Sequence, residues 1–211
     1  MKARLSVIER SLLAVGSFFF EKQNGYRVPF SGELLRTLGF ARMMEFAKLS
    51  EPIMEEAVRV FGERDSQALC GMSALFNGCP YCSVGHLLAA NLLHLREKDA
   101  LFPLDEQDVP ALRRMRDADI VTQVRQRLSA TEPRLLARIE RALALRDETR
   151  VAEGEEDAAL RALGGLWSII TECSVQFEVP ASTIPPLDKI AKDKALRARY
   201  AALRSEAKRP A

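Results

Sequence analysis

The chain is predicted to be all-α, a bundle of about eight or nine helices. Two observations carry that prediction. Apolar residues recur at intervals of three and four along most of its 211 residues, the repeat of helices with a buried face. No stretch alternates apolar and polar residues as a half-buried strand requires, and nothing repeats at a fixed period. Hydrophobic residues make up 47% of the chain and charged residues 28%, the balance of an ordinary globular protein. The length suits one domain over residues 1–211.

Leu5, Ile8, Leu12, Val15 and Phe19 place a first helix ending near Gly25, with Leu12–Phe20 as its buried face. Glu9 and Arg10 precede that stretch and no small-residue cleavage site follows, which argues against a signal peptide. Tyr26–Gly32, containing Pro29, reads as a turn. Leu34, Leu35, Leu38, Met43, Met44 and Phe46 give a second helix. Ser50-Glu51-Pro52 reads as a fresh start, Ser at the N-cap and Pro just inside, followed by Ile53, Ala57, Val58 and Val60. A helix over about Asp65–Asn77 ends at Asn77-Gly78, and another runs from Cys79 to about Lys98. Phe102-Pro103-Leu104-Asp105 connects to helices over about 106–117, 119–129 and 132–148, the last opened by Thr131-Glu132-Pro133. An acidic, Gly-containing break at 153–157 precedes an apolar helix through Phe177. Pro180, Pro185 and Pro186 then lead into a basic C-terminal helix over about 186–209. Trp167, Phe18–Phe20, Met43-Met44, Cys70 and Cys173 are expected in the core.

Net charge is +2, which gives no argument for nucleic acid or an anionic membrane as partner. Residues 189–211 hold eight Lys/Arg and two acids, which reads as a solvated helix face. No apolar run approaches the length of a membrane span. A cytoplasmic location is expected, where closely spaced cysteines are redox-active or metal-binding more often than permanently bridged.

The segment Asn77-Gly78-Cys79-Pro80-Tyr81-Cys82-Ser83-Val84-Gly85-His86 carries the chemistry. Spacings of three and four stack Cys79, Cys82 and His86 on one helical face. With Pro80 as the first helical residue, Cys79 is the N-cap and Cys82 lies in the first turn. Unpaired N–H groups and the positive end of the helix dipole there favour a thiolate, and an imidazole one turn on can take or return its proton. Such a site must also open to a cavity. His94, eight residues after His86, reads as an ordinary partly buried histidine. Cys79, Cys82 and His86 offer three zinc ligands where a structural site wants four, and no second Cys/His pair completes a set, so no cofactor is expected.

This motif between two apolar helices resembles the alkylhydroperoxidase D-like branch of the carboxymuconolactone decarboxylase superfamily. Asn77, Gly78, Cys79, Tyr81, Cys82 and His86 match, and the resemblance extends over about Leu49–Leu93. It implies an all-α bundle that assembles as a homo-oligomer, a trimer or hexamer, and reduces alkyl hydroperoxides. In that reading Cys82 attacks the peroxide, Cys79 resolves, and His86 relays the proton. An external dithiol, lipoyl-linked in the family, returns the electrons. One position departs from the pattern. The family's relay Glu, twelve residues before the first cysteine, is here Gln67, which hydrogen-bonds but is no useful proton acceptor. Glu63 and Glu172 are the sequence's candidates to replace it. The alternatives are a thiol–disulfide exchange protein and a non-peroxidatic interaction protein whose natural contact surface is the basic helix 189–209.

Overall fold

Helical periodicity carries through to nine α-helices and no strand among the residues that the computed structural model describes, 6–29, 31–174 and 180–207, with side chains described only to residue 169 in the eighth helix. These are α1 (Val7–Asn24), α2 (Ser31–Phe61), α3 (Glu63–Phe76), α4 (Pro80–Lys98), α5 (Val109–Leu112), α6 (Asp117–Leu128), α7 (Pro133–Arg146), α8 (Gly154–Ser174) and α9 (Lys194–Ala207). None of them is long and apolar enough to cross a membrane.

The hairpin of α3 and α4 is the centre. Asp65 to Leu75 of α3 are all buried, and so is nearly all of α4 from Tyr81 to Leu95. A helix without a polar side must be surrounded, and α2, α7 and α8 pack around α3 while the C-terminal segment packs on α4. Leu163 and Trp167 of α8 and Ala57 and Phe61 of α2 close the main core, and Tyr200 and Leu196 of α9 close a smaller one over α4. The residues between α4 and α8 supply Leu128, Leu135 and Ile139 to the main core. Charged side chains tie the rim of α3 to its surroundings: Arg64 pairs with Glu132 at 2.8 Å, Arg138 reaches Asp65, and Arg146 Nη1 donates to the Phe76 carbonyl at 2.7 Å, taking up an end group of α3.

Several elements differ from the sequence expectation. Pro52 does not start a helix: α2 runs through it and kinks at Gly39 (φ 75°, ψ 164°). The Ser50 hydroxyl donates back to the Ala47 carbonyl instead of accepting from N–H groups ahead of it, so it is no cap. The helix over 106–117 is a 3-10 turn, Glu106–Asp108, and the single turn of α5, after which Met115 is exposed. The C-terminal helix is likewise broken. Asp188 caps a 3-10 turn over Lys189–Lys192, and the Asp193 side chain accepts from Leu196 N–H at 2.9 Å to start α9 afresh. Its basic face is partly consumed inside the fold, since Arg199 pairs with Asp99 and Arg204 with Asp105 at 2.5 Å.

The largest departure is α1. Its capping box, Ser6 with Glu9, and its left-handed end at Gly25 are well formed, yet it buries no residue. Phe18 and Phe19 are exposed where core was expected, and Phe20 is partly so. Periodicity locates an apolar face but not what covers it, and among the described residues nothing covers this one. Met44 is also exposed, whereas Met43 packs against the core. Cys173 and Glu172 lie outside the described side chains.

Candidate functional site

The corner between α3 and α4 fixes the dithiol. Gly78 takes φ 80°, a left-handed turn that a side chain would strain, and this swings the chain from the end of α3 into α4. Cys79 N–H bonds the Ala74 carbonyl at 2.8 Å and Ser83 N–H the Cys79 carbonyl at 3.0 Å. Cys79 is the N-cap, its sulfur accepting from Cys82 N–H at 3.3 Å, and Pro80 is the first helical residue. Cys79 and Cys82 are joined as a disulfide, their Cα atoms 5.5 Å apart.

His86 lies one turn beyond Cys82 on α4, its ring edge-on to Trp167 with centroids 4.7 Å apart. Its Nδ1 is 2.7 Å from Gln67 Oε1. Gln67 Nε2 in turn donates to Asp188 Oδ2 at 2.8 Å, while the other Asp188 oxygen accepts from Ile190 N–H. Two assignments follow from this chain of three side chains. The Asp188 carboxylate accepts, so it draws the Gln67 amide nitrogen and turns the Gln67 oxygen toward His86. That oxygen accepts in its turn, so the proton of neutral His86 sits on Nδ1 and Nε2 keeps its lone pair. Asp188, in the proline-rich link, is thus the carboxylate behind the imidazole.

Asp188 is delivered by a strap over α4. Leu187 N–H bonds the Gly85 carbonyl at 3.0 Å, and a Cβ on Gly85 would stand 2.3 Å from Leu187 Cγ. Glycine in a helix interior costs stability, and here it allows the strap to lie directly on the backbone.

Glu63, a sequence candidate for the relay, is instead exposed and paired with Arg96 at 2.7 Å. His94 faces the opposite end of α4, against Arg64 and over Phe102, away from the dithiol. Tyr81 is buried beside the disulfide, its hydroxyl donating to the Arg27 carbonyl at 3.4 Å, and burial pushes its pKa up to about 12. Cys70 is buried on α3 against Met54, its thiol pushed up to about 12 by burial, and is inert as a nucleophile. Among the described residues no group of three or more His, Cys, Asp or Glu side chains is placed to hold a metal ion.

The expectation of an open site is not met. Cys79 is 0% exposed, Cys82 2% and His86 5%. Two open clefts, one beside Tyr200 and one beside His94, are lined by none of the three.

Burial also holds the His86 pKa down at about 3, so the imidazole is uncharged in the fold. An unfolded histidine titrates near 6.5. The unfolded chain therefore binds the extra proton between those values, and stability falls as pH drops through that window. Relative to His86→Gln, the wild type should lose up to about 1.4 kcal/mol per pH unit below pH ~6.5, read from urea midpoints in parallel titrations. Parallel curves for the two proteins would contradict the assignment.

No family model, curated protein or solved structure matches the chain, so the functional reading rests on these residues and their geometry.

Proposed function

We propose that this protein is a CxxC-dependent peroxide reductase of the alkylhydroperoxidase D-like kind, reducing alkyl hydroperoxides at Cys82. The observation that carries the reading is the His86–Gln67–Asp188 chain behind the dithiol. Thiol exchange needs no such device, whereas peroxide reduction must move a proton from the attacking thiol to the leaving alkoxide.

In the reduced protein, with the site uncovered and the burial that depresses its pKa relieved, His86 Nε2 takes the Cys82 proton. The thiolate attacks the distal oxygen of the hydroperoxide, an S–O bond forms as O–O breaks, and the alkoxide leaves as alcohol with the proton from His86. The Cys79 thiol then attacks the Cys82 sulfenic acid, water leaves, and the disulfide closes. An external dithiol supplies two electrons and is itself oxidised to a disulfide. Both sulfurs are covered in the oxidised form, so each cycle uncovers them.

The burial of both sulfurs favours one other reading, a structural cross-link. That role is weak on magnitude. A bridge closing a loop this short contributes only about 2 kcal/mol, at a corner the Gly78, Cys79 and Ser83 backbone hydrogen bonds already hold.

Asp188 acts here as a positioning residue. Asp188→Ala frees the Gln67 amide to turn its nitrogen toward His86 and reverse the tautomer. Peroxide reduction should fall by about 10²-fold, at the low end of what acid–base help contributes. Asp188→Asn, which still offers Gln67 an oxygen, should recover most of the rate. Equal loss in both variants, or none in either, would refute the relay.

A further inference from the structure

The basic face of α9 is the feature the dithiol leaves unused. Arg199 and Arg204 each hold a carboxylate, Asp99 and Asp105. Among the described residues Arg197 holds none: its guanidinium donates only to the Ala191 carbonyl, at 3.4 Å. This exposed arginine lines the open cleft beside Tyr200, a space of about 370 Å³. Small-molecule sites ordinarily enclose about 300–1,000 Å³.

Two kinds of surface meet in the cleft. Leu88 and Leu92 of α4 and Ile184 of the proline-rich link make it aliphatic on one side. Its polar floor is already committed to itself. Glu106 Oε2 accepts from Tyr200 Oη at 2.6 Å and from Asn91 Nδ2 at 3.2 Å, with Arg204 Nη1 3.6 Å away. The same Arg204 nitrogen donates to Tyr200 Oη at 2.9 Å. Glu106 and Tyr200 are both buried, so this network is a fixed base whose charges are matched from within. Arg197 is left as the cation of the cleft without a counter-charge.

We infer that the cleft binds a small aliphatic monocarboxylate, its carboxylate on Arg197 and its chain along Leu88, Leu92 and Ile184. A guanidinium fork matches a carboxylate through two parallel hydrogen bonds. The Ser182 hydroxyl, on the 3-10 turn Ala181–Thr183, also lines the cleft and offers a further donor. A phosphate dianion calls for a second uncommitted cation, and Arg204 is taken by Asp105 and Tyr200. An alkylammonium would meet Arg197 with no free carboxylate to receive it.

The site is separate from the dithiol and does not rest on the peroxidase reading. It reaches the relay through the chain. Ile184 and the turn before it belong to the link that runs on to Leu187, whose N–H bonds the Gly85 carbonyl, and to Asp188, which holds Gln67. A ligand seated between α9 and that link steadies the strap.

Isothermal titration of the full chain with decanoate, below its micelle concentration, should show one saturable site. Arg197→Gln should weaken binding by roughly 3- to 10-fold. Ala201→Phe, which sets a ring into the cleft from an exposed position on α9, should remove it. Both residues are exposed, so the helical circular dichroism and thermal midpoint of the unliganded variants should match wild type. Saturating decanoate should slow hydrogen exchange at the Leu187 amide in wild type and not in Ala201→Phe. Decylammonium and decyl phosphate should bind more weakly than decanoate. The proposal is overturned by absent binding, by binding that survives Ala201→Phe or is unchanged in Arg197→Gln, or by a tighter site for either of the other two probes. Unchanged Leu187 exchange overturns the coupling to the strap. None of these readouts involves peroxide, so the failure of this site and the failure of the peroxidase reading are told apart.

Discussion

Cys82→Ser should reduce hydroperoxide consumption to the rate of buffer and reductant alone, a loss of at least about 10³-fold. A hydroxyl at this position keeps the shape of the side chain, but its pKa lies far above a thiol's, so no useful fraction is ionised even with His86 as base. Cys79→Ser separates the two steps. Serine is among the preferred N-caps, so α4 should still start at this residue. The variant should consume one equivalent of peroxide and stop, holding a sulfenic acid on Cys82 that adds about 16 Da and is trapped by dimedone. Stopped-flow peroxide assays and intact mass spectrometry measure both. Turnover in Cys82→Ser equal to wild type would remove Cys82 from the chemistry.

Gly85→Ala should destabilise the protein although alanine is the better helix former. The intrinsic gain is about 1 kcal/mol. Against it stands a methyl group 2.3 Å from Leu187 Cγ and 3.0 Å from the Pro185 carbonyl oxygen. Overpacking of this kind costs about 1–3 kcal/mol, and the carbonyl belongs to backbone that moves only if the strap moves. The net expectation is a loss of up to about 2 kcal/mol in urea unfolding. With the strap displaced, Asp188 withdraws from Gln67, so the peroxide step should slow as it does in Asp188→Ala. An alanine variant more stable than wild type, with full activity, would mean that the strap does not rest on Gly85 in solution.

How much of this was legible in the sequence depended on distance along the chain. The N-cap cysteine, the first-turn proline and the helix-spaced histidine are local geometry, and spacings of three and four are enough to read them. The missing glutamate was also legible, but its replacement was not. Glu63 was the nearer guess because it shares a helix with Gln67. Asp188 lies 121 residues away from Gln67 in a proline-rich link, and no period connects the two. A tertiary contact of that kind leaves one trace, Gly85 in the interior of an apolar helix, which reads as a place where something comes close. The α1 seam failed for a different reason. A 3.6-residue repeat says that a face is apolar and says nothing of whether the same chain supplies its cover. Pro52 shows local signals overridden: Ser50-Glu51-Pro52 is a sound start sequence, yet the packing of α2 against α8 carries the helix through it.

The central claim is that the dithiol behind His86 is a working redox pair. It is tested most directly by reducing the native protein with a phosphine, removing the reductant, adding one equivalent of an organic hydroperoxide, and counting thiols beside the intact mass. The account predicts that two of the four cysteine thiols disappear as the peroxide is consumed, with peptide mapping joining Cys79 to Cys82. Four thiols surviving with the peroxide intact, or a bridge that yields to the phosphine only after unfolding, would contradict it.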